Sequence, residues 1–135
     1  MNNDIILDVQ VYGIPQAQGR PRARRLKGGR IGMYDPATSK AWKEAIKQQV
    51  LLMARPKELY DGPVYMDCTF IRLKPKSLPK KAKHPSQKPD LSNYIKGLED
   101  ALVGIVLRDD SQIVELFARK MYGDPPGVKV KVGKL

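Results

Sequence analysis

The sequence predicts a compact α+β domain built from one mixed β-sheet and two main helices. Residues 5–12 alternate between apolar and polar side chains, and residues 64–73 are rich in β-branched and aromatic ones. Both patterns are typical of strands, whereas residues 90–104 carry apolar side chains at helical spacing. The chain of 135 residues is as long as one ordinary domain, so residues 1–135 are expected to share a single core.

The N-terminal half is expected to contain a first strand, a loop, a short strand and a helix. Alternation predicts the first strand over residues 5–12, and a region rich in Gly and Arg predicts a loop over 13–29. A short strand is expected over 30–34. Pro36 is a suitable residue at the start of a helix, which we expect to continue to about Ala54.

The C-terminal half is expected to hold three strands and the second helix. The β-branched and aromatic run predicts a strand over 64–73. The helix over 90–104 has the clearest pattern, because its apolar residues recur at i, i+3, i+4 and i+7 on one face. The other predicted segments are a basic loop over 74–89, a strand over 112–122 and a last strand over 127–132.

The composition is strongly basic. The chain carries 25 Lys and Arg against 14 Asp and Glu, which leaves a formal net charge of +11. This excess favours a polyanionic partner, with nucleic acid as the first candidate and an anionic membrane surface as the second. No run of about 18 apolar residues occurs, so no membrane-spanning segment is expected. The first residues lack the basic stretch of a signal peptide, and we expect a cytoplasmic protein.

Cysteine and histidine are nearly absent. Cys68 is the one cysteine and lies in a strand-like run, which excludes an intrachain disulfide and a zinc site made of several cysteines. His84 is the one histidine and lies in a stretch rich in Lys and Pro, so a histidine-based catalytic triad is poorly supported. No small-molecule cofactor is expected. If the protein is an enzyme, its chemistry must come from carboxylates, lysines and a bound cation.

Positive charge is concentrated in two segments. In the first basic segment, residues 20–30, six of eleven residues are Arg or Lys. The second basic segment, residues 72–88, holds seven Lys and Arg and no acid. Both contain Gly or Pro and few apolar residues, which is typical of exposed loops. Taken alone, such loops could serve solubility only.

An acidic segment follows the two basic ones. Residues 90–115 hold six Asp and Glu against Lys96 and Arg108. Carboxylates that converge repel one another, and a bound Mg²⁺ relieves that repulsion. The cation can also polarise a phosphodiester and lower the pKa of an attacking water. A nearby lysine such as Lys96 could then stabilise the charge that develops on the phosphate.

Each part of the acidic segment also has a purely structural interpretation. Asp90 follows Pro89 and is a good N-cap candidate, in which case backbone amides would satisfy its carboxylate. Lys96 and Asp100 are spaced as a solvated i, i+4 pair. The pair at 109–110 alone is more typical of a turn than of a metal site. Only the combination supports a functional interpretation.

The combined motifs closely resemble those of the RusA family of Holliday-junction resolvases. The family pattern is approximately K-P-D-x-D-N-x-x-K, then D-A-L, then D-D-x-Q-V/I. The matching stretches here are KPDLSNYIK at 88–96, DAL at 100–102 and DDSQIVE at 109–115. Further matches are GIP at 13–15, GRPR at 19–22 and PGV at 126–128. The similarity extends over nearly the whole chain and rests on several independent motifs.

The resemblance implies a small homodimeric, structure-selective DNA endonuclease of phage or prophage origin. Such enzymes bind four-way junctions and nick two opposed strands symmetrically, with Mg²⁺ as the expected metal and Mn²⁺ as its alternative. A two-fold protein with one active site per subunit matches the two-fold junction. The implied catalytic residues are Asp90, Lys96 and Asp110, and the implied metal-binding residues are Asp90, Asp110, Asp109 and Ser92. The expected DNA-binding residues are Arg20, Arg22, Arg24, Arg25, Lys76, Lys80, Lys81, Lys83, Lys88 and Asn93.

Ser92 departs from the family pattern, which often has Asp at this position. Three explanations are open: Ser92 holds a metal-bound water, Asp109 or Asp100 takes over as the acid, or the protein binds junctions and cuts them poorly. The alternative function is therefore a junction-binding or nucleic-acid-binding module with weak or no cleavage. A basic RNA-binding protein without enzymatic activity is a third hypothesis, which the scarcity of aromatic stacking motifs disfavours.

Overall fold

The computed structural model describes residues 4–18, 22–25, 27–29, 31–34, 37–56 and 58–135. A four-stranded mixed sheet carries two helices, and a separate two-stranded hairpin completes the fold. The elements are β1 (Ile5–Tyr12), β2 (Arg22–Arg25), β3 (Ile31–Tyr34), α1 (Ala37–Ala54), β4 (Val64–Arg72), α2 (Leu91–Leu102), a 3₁₀ turn (Asp110–Gln112), β5 (Ile113–Tyr122) and β6 (Gly127–Lys134). The predicted α+β class with a mixed sheet and two main helices is confirmed.

The main sheet has the strand order β1-β6-β4-β5. Strand β6 runs antiparallel to both β1 and β4, whereas β5 runs parallel to β4. Parallel neighbours need a long crossover connection, and α2 together with the loops around it forms that connection. The crossover places α2 between the end of β4 and the beginning of β5, which is where the acidic segment lies.

The core lies between the sheet and the two helices. Helix α2 buries Tyr94, Leu98, Ala101 and Leu102, which all belong to the apolar face that the helical spacing predicts. The Tyr94 ring stacks on Phe70 of β4 with 5.1 Å between ring centroids. Cys68 is a buried core residue, and burial raises the pKa of its thiol to about 12. None of the described helices is long and apolar enough to cross a membrane.

The first basic segment is not simply a loop. Residues 13–29 were expected to lack regular structure, but Arg22–Arg25 forms β2 and pairs antiparallel with β3. Four consecutive residues of which three are Arg show no apolar alternation, so only the pairing with β3 reveals this strand. Gly28 and Gly29, in the connection between the strands, have φ of 87° and 83°, which glycine adopts without steric cost. Residues 22–25 of the first basic segment therefore form one strand of a hairpin.

Candidate active site

Three charged side chains meet where α2 faces the turn before β5. The Lys96 Nζ atom lies 3.0 Å from Oδ2 of Asp110 and 3.7 Å from Oδ1 of Asp100. On the other side, Lys43 of α1 lies 3.5 Å from Oδ2 of Asp100. The Lys96 and Asp110 side chains are 53% and 35% exposed, so both are accessible to a ligand. The structure thus brings Lys96 and Asp110 together, as their assignment to one site requires.

Electrostatics at this cluster keep the lysine charged. The pKa of Lys96 is raised, first by its hydrogen bond to Asp110 and then by the nearby charge of Asp100. The ammonium therefore stays protonated at neutral pH and can donate hydrogen bonds to a phosphate oxygen. Burial raises the pKa of Glu99, and the negative charge of Asp110 raises it further. Sequence reasoning did not single out Glu99, although its position three residues after Lys96 places it on a neighbouring part of the helix surface.

Gln112 holds the turn that presents Asp110. Its Oε1 atom accepts hydrogen bonds from the backbone N–H of Arg108 at 2.8 Å and of Asp109 at 3.0 Å. Its Nε2 atom donates to the carbonyl oxygens of Tyr60 at 2.8 Å and Gly62 at 2.9 Å. One partly buried side chain therefore ties the turn to the connection between α1 and β4. The sequence DDSQ at 109–112 gave no indication of these contacts.

Gln112→Ala is expected to lower the free energy of unfolding by about 2 kcal/mol or more, because four backbone groups lose their partner. The effect should appear as a lower midpoint in urea denaturation. Gln48→Ala on the exposed side of α1 serves as the control and should leave the midpoint nearly unchanged. An unchanged midpoint for Gln112→Ala would contradict this account of the turn.

Asp109 and Asp110 have different surroundings although they are adjacent. Oδ2 of Asp109 accepts a hydrogen bond from Ser111 N at 3.0 Å, and Asp109 is the N-cap of the 3₁₀ turn. These hydrogen bonds with Ser111 hold the pKa of the Asp109 carboxyl below its usual range. The Asp109 carboxylate thus supports the turn, whereas that of Asp110 points to Lys96.

Asp90 lies at the N-cap position of α2, but its carboxylate makes no capping hydrogen bond. The structural interpretation, in which backbone amides satisfy this carboxylate, does not hold. The residues before Asp90 are held by neighbouring strands instead: Lys120 Nζ donates to Gln87 O and Pro89 O, both at 2.9 Å. Arg72 donates to the carbonyl oxygen of Lys88 at 3.3 Å. The position of Asp90 is thus supported through its backbone, and its exposed carboxylate remains accessible to a ligand.

The first turns of α2 present oxygen donors. Ser92 and Lys96 are four residues apart and therefore share one face of the helix. Ser92 and Asn93 are exposed. The carboxylates of Asp90 and Asp110 and the hydroxyl of Ser92 are hard donors of the kind that Mg²⁺ accepts, and the uncapped carboxylate of Asp90 fits this role. Within the described residues, no group of three or more His, Cys, Asp or Glu is arranged to hold a metal ion.

One basic segment leads directly into α2, and the other follows a segment that contacts α2. The five lysines of the second basic segment that were assigned to DNA are exposed: Lys76, Lys80, Lys81, Lys83 and Lys88. The strand that carries Arg22, Arg24 and Arg25 follows a segment that runs along α2, where Gln18 N donates to Asn93 O at 3.0 Å. Arg20 lies outside the described residues. A cleft of about 260 Å³ lies beside Pro89, between Arg72 and the segment 14–16.

Two comparisons with known proteins identify the family of this chain. The family of the endodeoxyribonuclease RusA matches residues 13–133, which include both basic segments, α2 and the turn before β5. The uncharacterized protein YqaN of Bacillus subtilis (strain 168) is 42% identical over 135 aligned residues, which cover 90% of this chain and 92% of that protein. Because the family match covers most of the chain and includes every element of the candidate site, this protein belongs to the RusA family of endodeoxyribonucleases.

Proposed function

We propose that the protein is a Mg²⁺-dependent endonuclease that resolves four-way DNA junctions by paired symmetric nicks. The observation that carries the proposal is the uncapped carboxylate of Asp90 on the helix that also presents Lys96 to Asp110. Membership in an endodeoxyribonuclease family whose nucleases depend on a divalent metal supports the reaction class. The exposed lysines of the second basic segment, which leads into the same helix, support a DNA backbone as the ligand.

Each residue of the proposed site would have its own role in catalysis. Asp90 and Asp110 would hold the divalent cation, with the Ser92 hydroxyl as a neutral donor through a bound water. A cation held by these carboxylates supplies charge neutralisation at the phosphate and activation of the attacking water. Lys96 would donate a hydrogen bond to a non-bridging phosphate oxygen, where negative charge increases in the transition state. Asp109 would act as a positioning residue, because its carboxylate caps the turn that presents Asp110.

Binding of DNA would depend on the basic segments. Each contact between a lysine or arginine and a phosphate releases counterions, so affinity should fall steeply with increasing salt. Such contacts are independent of base sequence, and selectivity for a junction would therefore come from its shape. Lys76, Lys80, Lys81, Lys83 and Lys88 are the exposed residues proposed for these contacts, together with the first basic segment and Asn93.

The second candidate function is a junction-binding module that cuts weakly or not at all. Ser92 favours it, because a hydroxyl is a weaker metal ligand than the carboxylate expected at this position. Asp100 does not replace it at this end of α2, because Asp100 lies about two turns further along the helix, where it pairs with Lys43 and Lys96. Asp109 is hydrogen-bonded within its own turn.

The proposed function predicts junction-selective, metal-dependent nicking by the purified protein. We expect two symmetric nicks in a mobile four-way junction with Mg²⁺ or Mn²⁺, and none with EDTA or on linear duplex of the same sequence. Products are resolved on denaturing gels, and binding is measured separately in Ca²⁺ or EDTA. Tight binding without cleavage in either metal would support the second candidate instead.

The variant Ser92→Asp separates the two candidates further. It restores the third acid of the family pattern at an exposed position, so the fold should tolerate it. If the native site works with two carboxylates and a water, the rate should change less than about tenfold, which corresponds to about 1.4 kcal/mol. A much larger gain in rate would mean that the native site lacks a ligand. Ser92→Asn, which introduces a side chain of the same size as Asp without its charge, provides the matched control.

A further inference from the structure

A lysine occupies the core-facing side of α1. Lys43 follows Ser39 by four residues, and Ile46 and Val50 continue the same stripe of the helix; these three neighbours are buried. The Lys43 side chain itself is only 14% exposed. A lysine is rarely enclosed to this extent unless its ammonium is paired, because the charge would lose hydration without compensation. The position of Lys43 therefore requires an anionic partner.

Asp100 of α2 is such a partner, and its carboxylate joins two lysines. Lys43 Nζ lies 3.5 Å from Oδ2 of Asp100, and Lys96 Nζ lies 3.7 Å from Oδ1. The carboxylate thus bridges α1 and the catalytic candidate Lys96. Lys96 lies closer to Asp110, at 3.0 Å from its Oδ2 atom. The four side chains form a line of alternating charge that leads from α1 to the turn before β5.

Two carboxylates compete for the Lys96 ammonium. Asp100 is four residues from Lys96 on the same helix, a spacing at which the two side chains readily form a closer pair. Lys43 opposes this approach in two ways, since it attracts the Asp100 carboxylate toward α1 and offsets part of its negative charge. The Lys96 ammonium accordingly lies nearer to Asp110 than to Asp100.

We propose that Lys43 is a positioning residue, which acts through Asp100 to hold the Lys96 ammonium in the active site. Lys43 does not touch the phosphate in this role. It fixes the place from which Lys96 donates its hydrogen bond. The inference rests on the proposed function, because that function gives Lys96 its task. Its evidence is separate and consists of the burial of Lys43 and the three distances between the charged groups.

Lys43→Met is expected to lower the single-turnover nicking rate about ten- to hundredfold, because a small displacement of a catalytic group has effects of this size. Methionine is unbranched and flexible, so it suits the enclosed position and removes the charge. Junction affinity in EDTA should stay close to that of the parent, since a mostly buried ammonium has little access to DNA. Lys43→Arg keeps the charge and should recover part of the rate.

The matched control is Lys40→Met, which removes an equal charge from an exposed position of the same helix. It should nick at the parent rate. Urea denaturation of each preparation separates a loss of folded protein from a loss of rate. Where Lys43→Met does not fold, Lys43→Gln gives the same comparison with a polar neutral side chain.

A double variant shows whether Lys43 acts through Asp100. In Lys43→Met/Asp100→Asn, the charge that would draw Lys96 away from Asp110 is removed as well. The double variant should therefore nick faster than Lys43→Met and at the same rate as Asp100→Asn alone. A lysine that only stabilised the packing of α1 would give no such recovery, because the second change would add its own loss to the first.

The ammonium resonance of Lys96 in NMR spectra gives a readout that does not depend on nicking. It should shift in Lys43→Met, as the group moves toward Asp100, and should coincide in Asp100→Asn and the double variant. Lys40→Met should leave it unchanged.

Two results would overturn the proposal: parent-like nicking by folded Lys43→Met, or a folded double variant that stays as slow as Lys43→Met. A parent protein that cuts no junction would remove the proposed function instead. The Lys96 resonance then decides on Lys43 alone, since a shift in Lys43→Met supports its positioning role and an unchanged resonance refutes it.

Discussion

Asp110→Asn and Asp90→Asn are each expected to abolish junction nicking while junction binding survives. Both changes remove a negative charge that the proposed site needs to hold a divalent cation. A cation at a phosphate contributes several kcal/mol of transition-state stabilisation, and a loss of about 4 kcal/mol lowers the rate about 10³-fold. Binding should persist, because the basic segments that contact phosphates are unchanged. The measurements are single-turnover nicking with Mg²⁺ and a gel-shift titration in EDTA.

The two variants differ in one further expected result. Asp110→Asn should lower the pKa of Glu99, because the charge of Asp110 is one of the causes that raise it. It should also lower the pKa of Lys96, whose largest upward shift comes from the hydrogen bond to Asp110. NMR titration of both side chains reports these shifts without reference to activity. Asp8→Asn, exposed on β1, is the matched control and should cut at the parent rate. Parent-like nicking by Asp110→Asn would refute its role in the active site.

Lys96→Met is expected to reduce the nicking rate about 10²–10³-fold with little change in stability. The ammonium would stabilise charge that develops on the phosphate, a role that a neutral side chain of similar length does not perform. The ion pair with Asp110 is partly solvent-exposed, and pairs at the surface contribute about 0–1 kcal/mol to folding. In this variant the nicking rate should therefore fall while the free energy of unfolding stays nearly unchanged.

The measurements for Lys96→Met are single-turnover rates and urea denaturation on the same preparation. Lys129→Met removes an equal charge on the sheet face away from the helices and is the control. Lys96→Arg should recover part of the rate, since it keeps the charge but places it in a planar group of different geometry. If Lys96→Met loses activity only in proportion to a loss of folded protein, the catalytic assignment fails.

Some features of the candidate site could be predicted from the sequence, and others could not. The apolar face of α2 followed from periodicity, because burial against a core imposes helical spacing on the residues of the helix itself. The status of Asp90 could not be predicted in this way. The position of Asp90 before α2 predicted an N-cap. Whether its carboxylate accepts hydrogen bonds from the first backbone amides of the helix depends on how the preceding residues approach the helix. Lys120 and Arg72 hold those residues from other strands, and no local pattern encodes that support.

Residues far apart in the chain account for most of what was missed. Gln112 reaches carbonyl oxygens of residues 60 and 62, a separation of 50 or more positions. Strand β2 has no apolar alternation and exists through its pairing with β3. In the sequence, Glu99 was one of six acids in residues 90–115. Only the folded structure shows that the charge of Asp110 helps to raise its pKa. Each of these features depends on which elements become neighbours.

The sequence by itself determined the fold class, the order of the main elements, the basic character of the surface and the motifs of a RusA endodeoxyribonuclease. These are local or additive properties, since periodicity, charge and motif spacing do not require a folded chain. Only the tertiary structure decided that Lys96 contacts Asp110 across a crossover, that Asp109 supports a turn, and that among the described strands β5 pairs with β4 alone. Side-chain contacts and strand neighbours depend on how distant segments pack, and the same local patterns are compatible with several such arrangements.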